Sequence, residues 1–468
     1  MIARLVFWLL LALVALAPLP FGGNRPWAWS LMAAISGVLL ALWATAATAN
    51  PNLHALAWRH YRIVLGLLAG FLAWCFFQAA PFSPAEWHHA SWTAAAAALG
   101  QPLAGAISVS PSDSLGGAMR FLSYAFVFWL AMQLGRRLER AQAAWWTVAL
   151  AATGYAIYGL FEQFSGAPNI LGIAKWAYPD SVSGTFVNRN HFAAYAGVGL
   201  ILTVALIADQ IKVSAREGLH STNGIVYFID HLRAGLFVLM LMFVVLVTAL
   251  LLSHSRAGVL CTAIGILIML LAFAASHGLR SRSLLVFGGI IVAVGLAVLI
   301  VSGRAVTSRM SELIENAEPR LQIYQLSLDA IAERPFLGTG LATFEHISRL
   351  MRGADFGPSE PTYDAAHNSY LELAVETGLP AALLLYGALI VLLLRFLRGA
   401  RERRRAIIYP CSGLAVTALL AVHSLVDFSL QIPAIAVTYA LIAGVAYSQS
   451  WRDEDLAAGQ AKAAHRRD

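Results

Sequence analysis

Residues 234–276 read AGLFVLMLMFVVLVTALLLSHSRAGVLCTAIGILIMLLAFAAS, two apolar runs joined by a short turn. Each run is about 19 residues long, which as a helix is enough to cross the roughly 30 Å hydrocarbon core of a bilayer. Between Arg233 and Arg280 the only residue among Asp, Glu, Lys and Arg is Arg256, in the turn. This stretch therefore predicts a pair of membrane-spanning helices.

The rest of the chain repeats this pattern. Of its 468 residues, 59% are hydrophobic and 12% are charged, against roughly 25% charged in an ordinary soluble domain. Long apolar runs recur from Leu5 to Tyr447, unlike the alternating strands of outer-membrane barrels. The sequence therefore predicts an all-α integral membrane protein with about twelve transmembrane helices. We place the spans near residues 5–21, 27–47, 63–80, 119–134, 142–162, 191–209, 234–252, 258–276, 284–302, 379–397, 408–426 and 431–448.

Basic residues determine the predicted orientation, because cytoplasmic loops carry an excess of lysine and arginine. With the N-terminus inside, the basic groups that fall on cytoplasmic loops are Arg59 and Arg62; Arg136, Arg137 and Arg140; Lys212, Arg216 and Arg233; Arg280 and Arg282; and those in 398–405. The first span is interpreted as a retained helix, since no small-residue cleavage site of a signal peptide follows it.

This topology divides the chain into four parts. Residues 1–302 hold the first nine spans, 303–378 form a long extracytoplasmic loop, 379–450 hold the last three spans, and 451–468 are expected to be a disordered cytoplasmic tail. The long loop is the largest soluble piece, and loops of that length are usually functional or contain their own structure.

The positions of the basic and acidic residues limit the partners and cofactors that the sequence predicts. The net charge of +7 comes from basic residues dispersed among short loops, which is typical of a topology signal, so a lipid bilayer and no nucleic acid is expected. Asp355, Glu360 and Asp364 are scattered rather than gathered in a cage of carboxylates. No metal or other cofactor is therefore expected.

Within the long loop, apolar positions recur at helical spacing from Leu321 through Tyr324 and Leu328 to Ile331. This pattern predicts an amphipathic helix on or near the membrane, ending before Pro335.

Arg320 would then lie in the first turn of this helix, where free backbone N–H groups favour an anion. The alternative is a single charge on a solvated helix face.

A second loop helix is predicted to begin at Asp364 as its N-cap and to run through His367 and Tyr370 to Gly378. His367 can act as a base near neutral pH, and Asp364 would stand one turn back to orient its ring. The alternative is a histidine that only packs or faces solvent.

Two further arginines are candidates on the outer face. Arg256 lies between two apolar spans, where an unpaired charge is costly and often functional; the alternative is an arginine that reaches to lipid headgroups. Arg189 is flanked by Asn188 and Asn190, a density of donors that suits a phosphate or sugar hydroxyls. A helix-capping turn is the alternative there.

Four segments, in this order, resemble the O-antigen ligase and polymerase superfamily, whose members move undecaprenyl-diphosphate-linked saccharides at the periplasmic face. They are SGTFVNRNHFAAY at 183–195, LLSHSRAG at 251–258, RLQIYQLSLDAIAERPFLGTG at 320–340 and AHNSYLELAVETGLP at 366–380. The resemblance covers about residues 120–450. Its most specific parts are Ser255-Arg256-x-Gly258, Pro335-x-x-Gly338-x-Gly340, and His367-Asn368-x-Tyr370 before Glu376-x-Gly378.

The resemblance implies a GT-C-like fold in the bacterial inner membrane and a metal-independent, inverting glycosyl transfer. Its essential arginines map onto Arg256 and Arg320, and its loop histidine onto His367 as the base. Arg189 matches an outer arginine of the family less closely. The expected site is a bound diphosphate between the arginines, with the base facing the acceptor. Supporting roles are expected for Asn188, Asn190, Asp364, Asn368 and Tyr370.

The acceptor separates the subtypes of this superfamily. A polymerase extends another lipid-linked repeat unit, a ligase uses lipid A core, and an O-oligosaccharyltransferase uses protein. The N-terminal third, including residues 18–27 and 86–114, resembles members associated with exopolysaccharide, which favours a polymerase. Rivals of another class are a transporter of lipid-linked sugars and a non-catalytic assembly subunit; a transporter tends to show internal repeats and broken helices, which the sequence lacks.

Overall fold

The computed structural model describes residues 1–50, 53, 55–166, 169–218, 224–277, 317–351, 363–403 and 405–452. Its helices are α1 (Ile2–Leu16), α2 (Pro26–Ala49), α3 (Trp58–Gln78), α4 (Ala90–Leu99), α5 (Pro111–Leu134), α6 (Leu138–Phe164), α7 (Arg189–Gly218), α8 (Gly224–Leu252), α9 (Arg256–His277), α10 (Ala317–Glu333), α11 (Phe344–Leu350), α12 (Ser369–Glu402), α13 (Ile408–His423) and α14 (Pro433–Gln449). A small antiparallel hairpin, β1 (Asn169–Ile170) and β2 (Ile173–Ala174), lies between α6 and α7.

The predicted spans coincide with helices wherever the chain is described. The span predicted at 284–302 lies outside the described residues, as do parts of the predicted loop and residues 453–468 of the predicted tail. Within the described part, seven helices are long and apolar enough to cross a membrane, namely α2, α3, α5, α7, α8, α9 and α12. Helices α1, α13 and α14 are apolar but shorter. These helices confirm the predicted all-α membrane protein.

Helix α7 is central to the packed core. In its most apolar stretch 94% of the residues are buried inside the protein, against 28% in α2, α3 and α8. It packs against α6, α8, α9 and α13. A helix that is apolar all round is expected in such a buried position. Helix α14, which is rich in alanine, is likewise buried and packs most closely on α5, since small side chains let helices approach closely in a membrane.

The outer segments contain more structure than the sequence predicts. Helix α4 lies within the segment predicted as an outer loop, and α5 begins at Pro111, well before the predicted start at residue 119. Proline suits the first turn of a helix, where its missing N–H has no intrahelical partner.

Helix α10 confirms the amphipathic helix predicted in the long loop. The side of the helix that is buried differs from the predicted apolar side. Ile323 and Ala330 are buried against the protein, whereas Leu321 and Leu328 are exposed. The reason is that the buried side faces α11 and the segment before α12, a contact that helical periodicity alone does not specify.

Candidate active site

The starts of α7 and α12 and the end of α13 meet around one buried carboxylate, Asp427. It lies in the short segment between α13 and α14, and its side chain is 2% exposed. Its Oδ1 accepts a hydrogen bond from the Phe428 N–H at 2.8 Å. The same oxygen lies 3.6 Å from Nε2 of His191 and 3.7 Å from Nδ1 of His367. Two imidazoles therefore face one carboxylate.

The electrostatics of this cluster keep Asp427 ionised. Burial by itself raises the pKa of a carboxyl group. At Asp427, the polar contacts with His191 and His367 and the N–H of Phe428 outweigh burial and hold the pKa well below its usual range. Contacts of 3.6–3.7 Å are longer than good hydrogen bonds. Asp427 thus places one negative charge next to two imidazole rings.

The backbone presents His367 to the outside. His367 has a φ of +50°, in the left-handed region that costs a non-glycine residue about 1–2 kcal/mol. The neighbouring N–H groups hold this conformation: that of Ala366 donates to Oε2 of Glu372 at 2.8 Å, and that of Ser369 donates to the Ser424 carbonyl at 2.9 Å. The His367 side chain remains 33% exposed, so a substrate can reach it.

The helix that follows His367 starts later than predicted. Asn368, not Asp364, is its N-cap, because Oδ1 of Asn368 accepts the N–H groups of Tyr370 and Leu371 at 3.0 and 3.2 Å. The predicted start at Asp364 is wrong, since the left-handed His367 interrupts helical geometry before the cap. Asp364 is exposed, and the carboxylate that faces the His367 ring is Asp427 instead.

Tyr370, a predicted supporting residue, ties α12 to α13. Its hydroxyl donates to the Ala421 carbonyl at 2.8 Å, and its own carbonyl accepts the Tyr386 hydroxyl at 3.0 Å. These contacts hold the segment that carries His367 against the end of α13.

Arg189 and its asparagines form the start of α7. Asn188 accepts the N–H of Asn190 at 2.8 Å through Oδ1, as an N-cap does, so the capping interpretation of Asn188 is confirmed. The Arg189 guanidinium lies 4.9 Å from the Tyr178 ring centroid, and its Nη1 is 3.5 Å from Oγ of Ser181. Binding of a ligand by Arg189 and Asn190 stays a prediction.

Arg256 begins α9 and is exposed. Oγ of Ser255 caps the helix by accepting the Gly258 N–H at 3.1 Å. A β-carbon at Gly258 would lie 2.4 Å from the Ala193 side chain of α7. The Ser-Arg-x-Gly turn therefore needs its glycine to sit directly on the helix that begins with Arg189.

The turn before α9 also approaches the Arg189 segment directly. Nδ1 of His254 lies 3.4 Å from Oγ of Ser181, the same hydroxyl that Arg189 reaches. The structure thus brings the segments of Arg189 and Arg256 together around Ser181.

Arg320 lies in the first turn of α10, and its side chain falls outside the described part of the structure. One helical turn later, the Tyr324 hydroxyl approaches the carbonyl of Leu425 at 3.5 Å. This places the N-terminal half of α10 beside the segment that carries Asp427.

The glycine motifs of the long loop build the framework of the site. The Gly340 N–H donates to the Glu376 carbonyl at 2.8 Å, and the Leu379 N–H donates to the Pro335 carbonyl at 2.8 Å. At Gly338, where φ is +65°, a β-carbon would lie 2.4 Å from the Glu376 carbonyl oxygen. The Pro335–Gly340 and Glu376–Gly378 motifs therefore contact each other rather than offering a binding loop.

An apolar cavity of about 240 Å³ lies next to this cluster, within the membrane-spanning body. Ser369, Tyr370, Ser424 and Gln431 line it near His367 and Asp427. Its remaining wall is largely hydrophobic, with Arg120, Glu372 and Glu376 as its charged residues.

The sequence analysis did not select Asp427 or His191 as site residues. A usable signal was present, because Asp427 falls in a short outer turn between the spans predicted at 408–426 and 431–448. The same argument, a charge between two apolar spans, selected Arg256. What no pattern showed is that Asp427 lies against two histidines from other helices.

Comparison with known proteins agrees with the resemblance. The sequence model of a protein family described as O-antigen ligase matches residues 241–386, a segment that contains Arg256, Arg320 and His367 but not Arg189 or Asp427. No curated protein matches the chain. The chain is therefore a multi-pass membrane protein with an O-antigen ligase-like domain at residues 241–386, which supports the resemblance to the O-antigen ligase and polymerase superfamily.

Proposed function

We propose that this protein is an inverting glycosyltransferase that moves a glycan from undecaprenyl diphosphate to a sugar hydroxyl at the periplasmic face of the inner membrane, without a metal. We propose further that it acts as a polysaccharide polymerase. The observation that carries the proposal is the contact of His367 with Asp427, 3.7 Å from Nδ1 to Oδ1. A half-exposed imidazole held by a buried carboxylate is the arrangement of a general base and its orienting acid.

In this proposal His367 removes the proton of the acceptor. Asp427 faces Nδ1 and favours the tautomer that carries its proton there, which leaves Nε2 to accept the hydroxyl proton. The acceptor oxygen forms a bond to the anomeric carbon while the bond from that carbon to the diphosphate oxygen breaks. The electron pair leaves with undecaprenyl diphosphate, and the proton resides on His367, whose cationic form the Asp427 carboxylate stabilises.

The arginines supply positive charge for the leaving group. Negative charge grows on the diphosphate as the bond breaks, and fixed cations placed there lower the barrier. Arg256 and Arg189 lie on adjoining segments, and Arg320 lies in the first turn of α10, which reaches the Asp427 segment through Tyr324. Arginine suits this role because its planar fork binds two phosphate oxygens at once.

The test uses purified full-length protein in lipid nanodiscs with a synthetic undecaprenyl-diphosphate oligosaccharide and three acceptors: a lipid-linked repeat unit, lipid A core and an acceptor protein. We expect release of undecaprenyl diphosphate, a product of inverted linkage and preference for the lipid-linked repeat unit. Release of no undecaprenyl diphosphate with any acceptor would exclude a transferase and leave a transporter or an assembly subunit. Product formed with another acceptor would keep the chemistry and reject the polymerase.

A further inference from the structure

Asp427 contacts a second histidine that the proposed proton transfer does not use. Nε2 of His191 lies 3.6 Å from Oδ1 of Asp427, the same oxygen that Nδ1 of His367 approaches at 3.7 Å. The His191 side chain is 6% exposed, whereas that of His367 is 33% exposed. An acceptor can therefore reach His367, while His191 is enclosed by the protein, so any effect of His191 on the reaction passes through the carboxylate.

The chemistry of the two groups fixes the direction of this contact. An ionised carboxylate has no hydrogen to donate, so the imidazole of His191 must direct its Nε2–H at Oδ1 of Asp427. Their separation of 3.6 Å is longer than a good hydrogen bond, but hydrogen bonds of catalytic groups are often long until substrate binds. His191 is therefore placed as a donor to Asp427 and not as a second base.

His191 ties Asp427 to the most buried of the long apolar helices. The N–H of Phe428 also binds Oδ1, but Phe428 is the next residue in the chain, so this bond orients the carboxylate only relative to its own backbone. His191 lies in the first turn of α7, whose most apolar stretch is 94% buried, and groups on rigid helices hold a site more precisely than groups on loops. Within the described residues, His191 is the only basic side chain besides His367 with a nitrogen within 4 Å of this carboxylate.

One aromatic ring packs on both imidazoles. The centroid of the Phe428 ring lies 4.7 Å from that of His191 and 5.2 Å from that of His367. Edge-to-face contacts between rings at such distances are favourable, and closely packed rings cannot turn freely. The carboxylate, the two imidazoles and the Phe428 ring therefore form one packed unit, in which a change at His191 is passed on to His367.

Neighbouring basic side chains have partners of their own. Nδ1 of His423, at the end of α13, lies 3.0 Å from Oγ of Ser429. Arg189, two residues before His191, approaches Oγ of Ser181 at 3.5 Å. His191 is thus the residue of the first turn of α7 whose side chain is directed at the carboxylate.

We propose that His191 is a positioning residue, which holds the Asp427 carboxylate against His367 and through it makes His367 effective as the base. This inference rests on the proposed function, because it takes His367 as the group that accepts the proton of the acceptor. It adds a hydrogen-bond donor from α7 to the pair of His367 and Asp427. The first turn of α7 then serves both ends of the reaction, since Arg189 lies in it too.

The first test compares two replacements of His191 in the full-length protein in lipid nanodiscs. Phenylalanine keeps a flat ring but has no N–H, whereas glutamine keeps an N–H donor near the position of Nε2. We expect His191→Phe to lower kcat by about tenfold or more, as the loss of an orienting partner does, while the KM for the glycan donor stays near that of wild type. His191→Gln should recover most of this loss.

The matched control removes another buried histidine, His60 at the start of α3, and His60→Phe should keep the wild-type kcat. Wild-type turnover by His191→Phe would reject the proposal. Equal losses in His191→Phe and His191→Gln would also reject it, since the shape of the ring and not its N–H would then matter. If His191→Phe does not fold, His191→Asn takes its place, because the asparagine amide is one carbon shorter and ends farther from Oδ1 of Asp427.

The second test asks whether His191 acts through Asp427. Effects of residues in one network are not additive, so a double-mutant cycle measures their coupling. In the Asp427→Asn background, His191→Phe should cause little further loss of kcat, because the carboxylate that His191 holds is already gone. Full additivity of the two losses would show that His191 acts independently of Asp427 and would reject the proposal.

A third measurement does not depend on glycan transfer. Diethyl pyrocarbonate modifies the unprotonated nitrogen of a neutral imidazole, and mass spectrometry of the peptide that contains His367 gives the rate. We expect His191→Phe to slow the modification of His367 severalfold and His191→Gln to leave it unchanged, because a carboxylate held at Nδ1 leaves Nε2 free to react.

The two proposals fail in different ways. An unchanged rate of His367 modification in His191→Phe would reject the positioning role while leaving the transferase in place. If wild type transfers to no acceptor but the modification rates differ as expected, the transferase is rejected and the positioning of His367 by His191 stands.

Discussion

Nδ1 of His367 lies 3.7 Å from Oδ1 of Asp427, although the two residues belong to segments at the ends of different helices. The histidine precedes α12 in a left-handed conformation, and the aspartate follows α13. Two backbone-directed contacts join these segments: Ser369 N–H with the Ser424 carbonyl at 2.9 Å and the Ser369 hydroxyl with the Asp427 carbonyl at 3.2 Å. The pair therefore depends on the packing of α12 against α13.

Replacement of His367 tests the base. His367→Ala should lower kcat for transfer by about 10²–10⁴-fold, the usual contribution of a general base, while the Kd for the donor stays near that of wild type. Stopped assays of undecaprenyl diphosphate release and donor-binding titrations measure the two quantities. His346→Ala, at an exposed histidine on α11, is the control and should remain active. Wild-type turnover by His367→Ala would exclude it as the base.

Replacement of Asp427 tests whether His367 is oriented by Asp427, as the structure indicates, or by Asp364, as the sequence predicts. Asp427→Asn should lower kcat by about tenfold or more, because the amide no longer stabilises the cationic imidazole. Asp364→Asn is the matched control, since Asp364 is exposed and is not the helix cap. Kinetics of both variants, with the KM for the donor measured separately, decide between them. The reverse result, with only Asp364→Asn impaired, would contradict the site.

Arg256 tests the binding of the leaving group. Arg256→Ala should raise the KM for the donor and lower kcat, since the cation meets the diphosphate both before and during bond breaking. Arg256→Lys should recover only part of the loss, because lysine lacks the planar fork. Arg256 and Arg62 are both exposed, and Arg62 belongs to a loop predicted to be cytoplasmic, so Arg62→Ala is a fair control. Unchanged donor kinetics in Arg256→Ala would remove it from the site.

The depressed pKa of Asp427 predicts a pH dependence of stability. A carboxyl whose pKa is lower in the folded than in the unfolded state adds stability above its unfolded pKa, about 3.9, and this stability is lost as the pH falls toward the folded pKa. The difference in thermal midpoint between wild type and Asp427→Asn should thus shrink as the pH falls below about pH 4. A difference that stays the same down to about pH 3 would contradict the assignment of this stability to the ionised Asp427 carboxylate.

Chelation tests the metal-independent mechanism. In the described part of the chain, no group of three or more His, Cys, Asp or Glu side chains is arranged to hold a metal ion. In the proposed mechanism the arginines stabilise the leaving diphosphate, so transfer should proceed at the wild-type rate after treatment with EDTA and dialysis. Inactivation by EDTA that Mg²⁺ or Mn²⁺ reverses would show that the arginines do not act alone.

Much of the fold could be predicted because the lipid bilayer restricts which segments of the chain can cross it. A long apolar segment indicates a membrane-spanning helix whatever helices surround it, since backbone polar groups in lipid must be satisfied within the helix. Arg256 was found in the same way, from one charge between two apolar runs. Helix α10 was also predicted, from the helical spacing of its apolar residues. Its buried side, with Ile323 and Ala330, was not predicted.

The start of α12 could not be predicted from the local sequence alone. Asp364 and Asn368 are both good N-caps, and the sequence does not say which one begins the helix. The Ala366 N–H bound to Glu372 and the Ser369 N–H bound to Ser424 decide it, because they hold His367 in a left-handed conformation that a helix cannot include. Glu372 belongs to α12 itself, whereas Ser424 directly follows α13, a helix that the local sequence around His367 does not include.

The amino-acid sequence by itself determined that this protein is a bundle of membrane helices, and it indicated outer-facing candidates such as Arg256 and His367, because hydropathy and charge act locally along the chain. Only the tertiary structure decided that Asp427 faces His367 and His191, and that the apolar cavity is separate from the helices that carry Arg189 and Arg256. These relationships arise from the packing of helices distant in sequence, and no local pattern records which helix ends will meet.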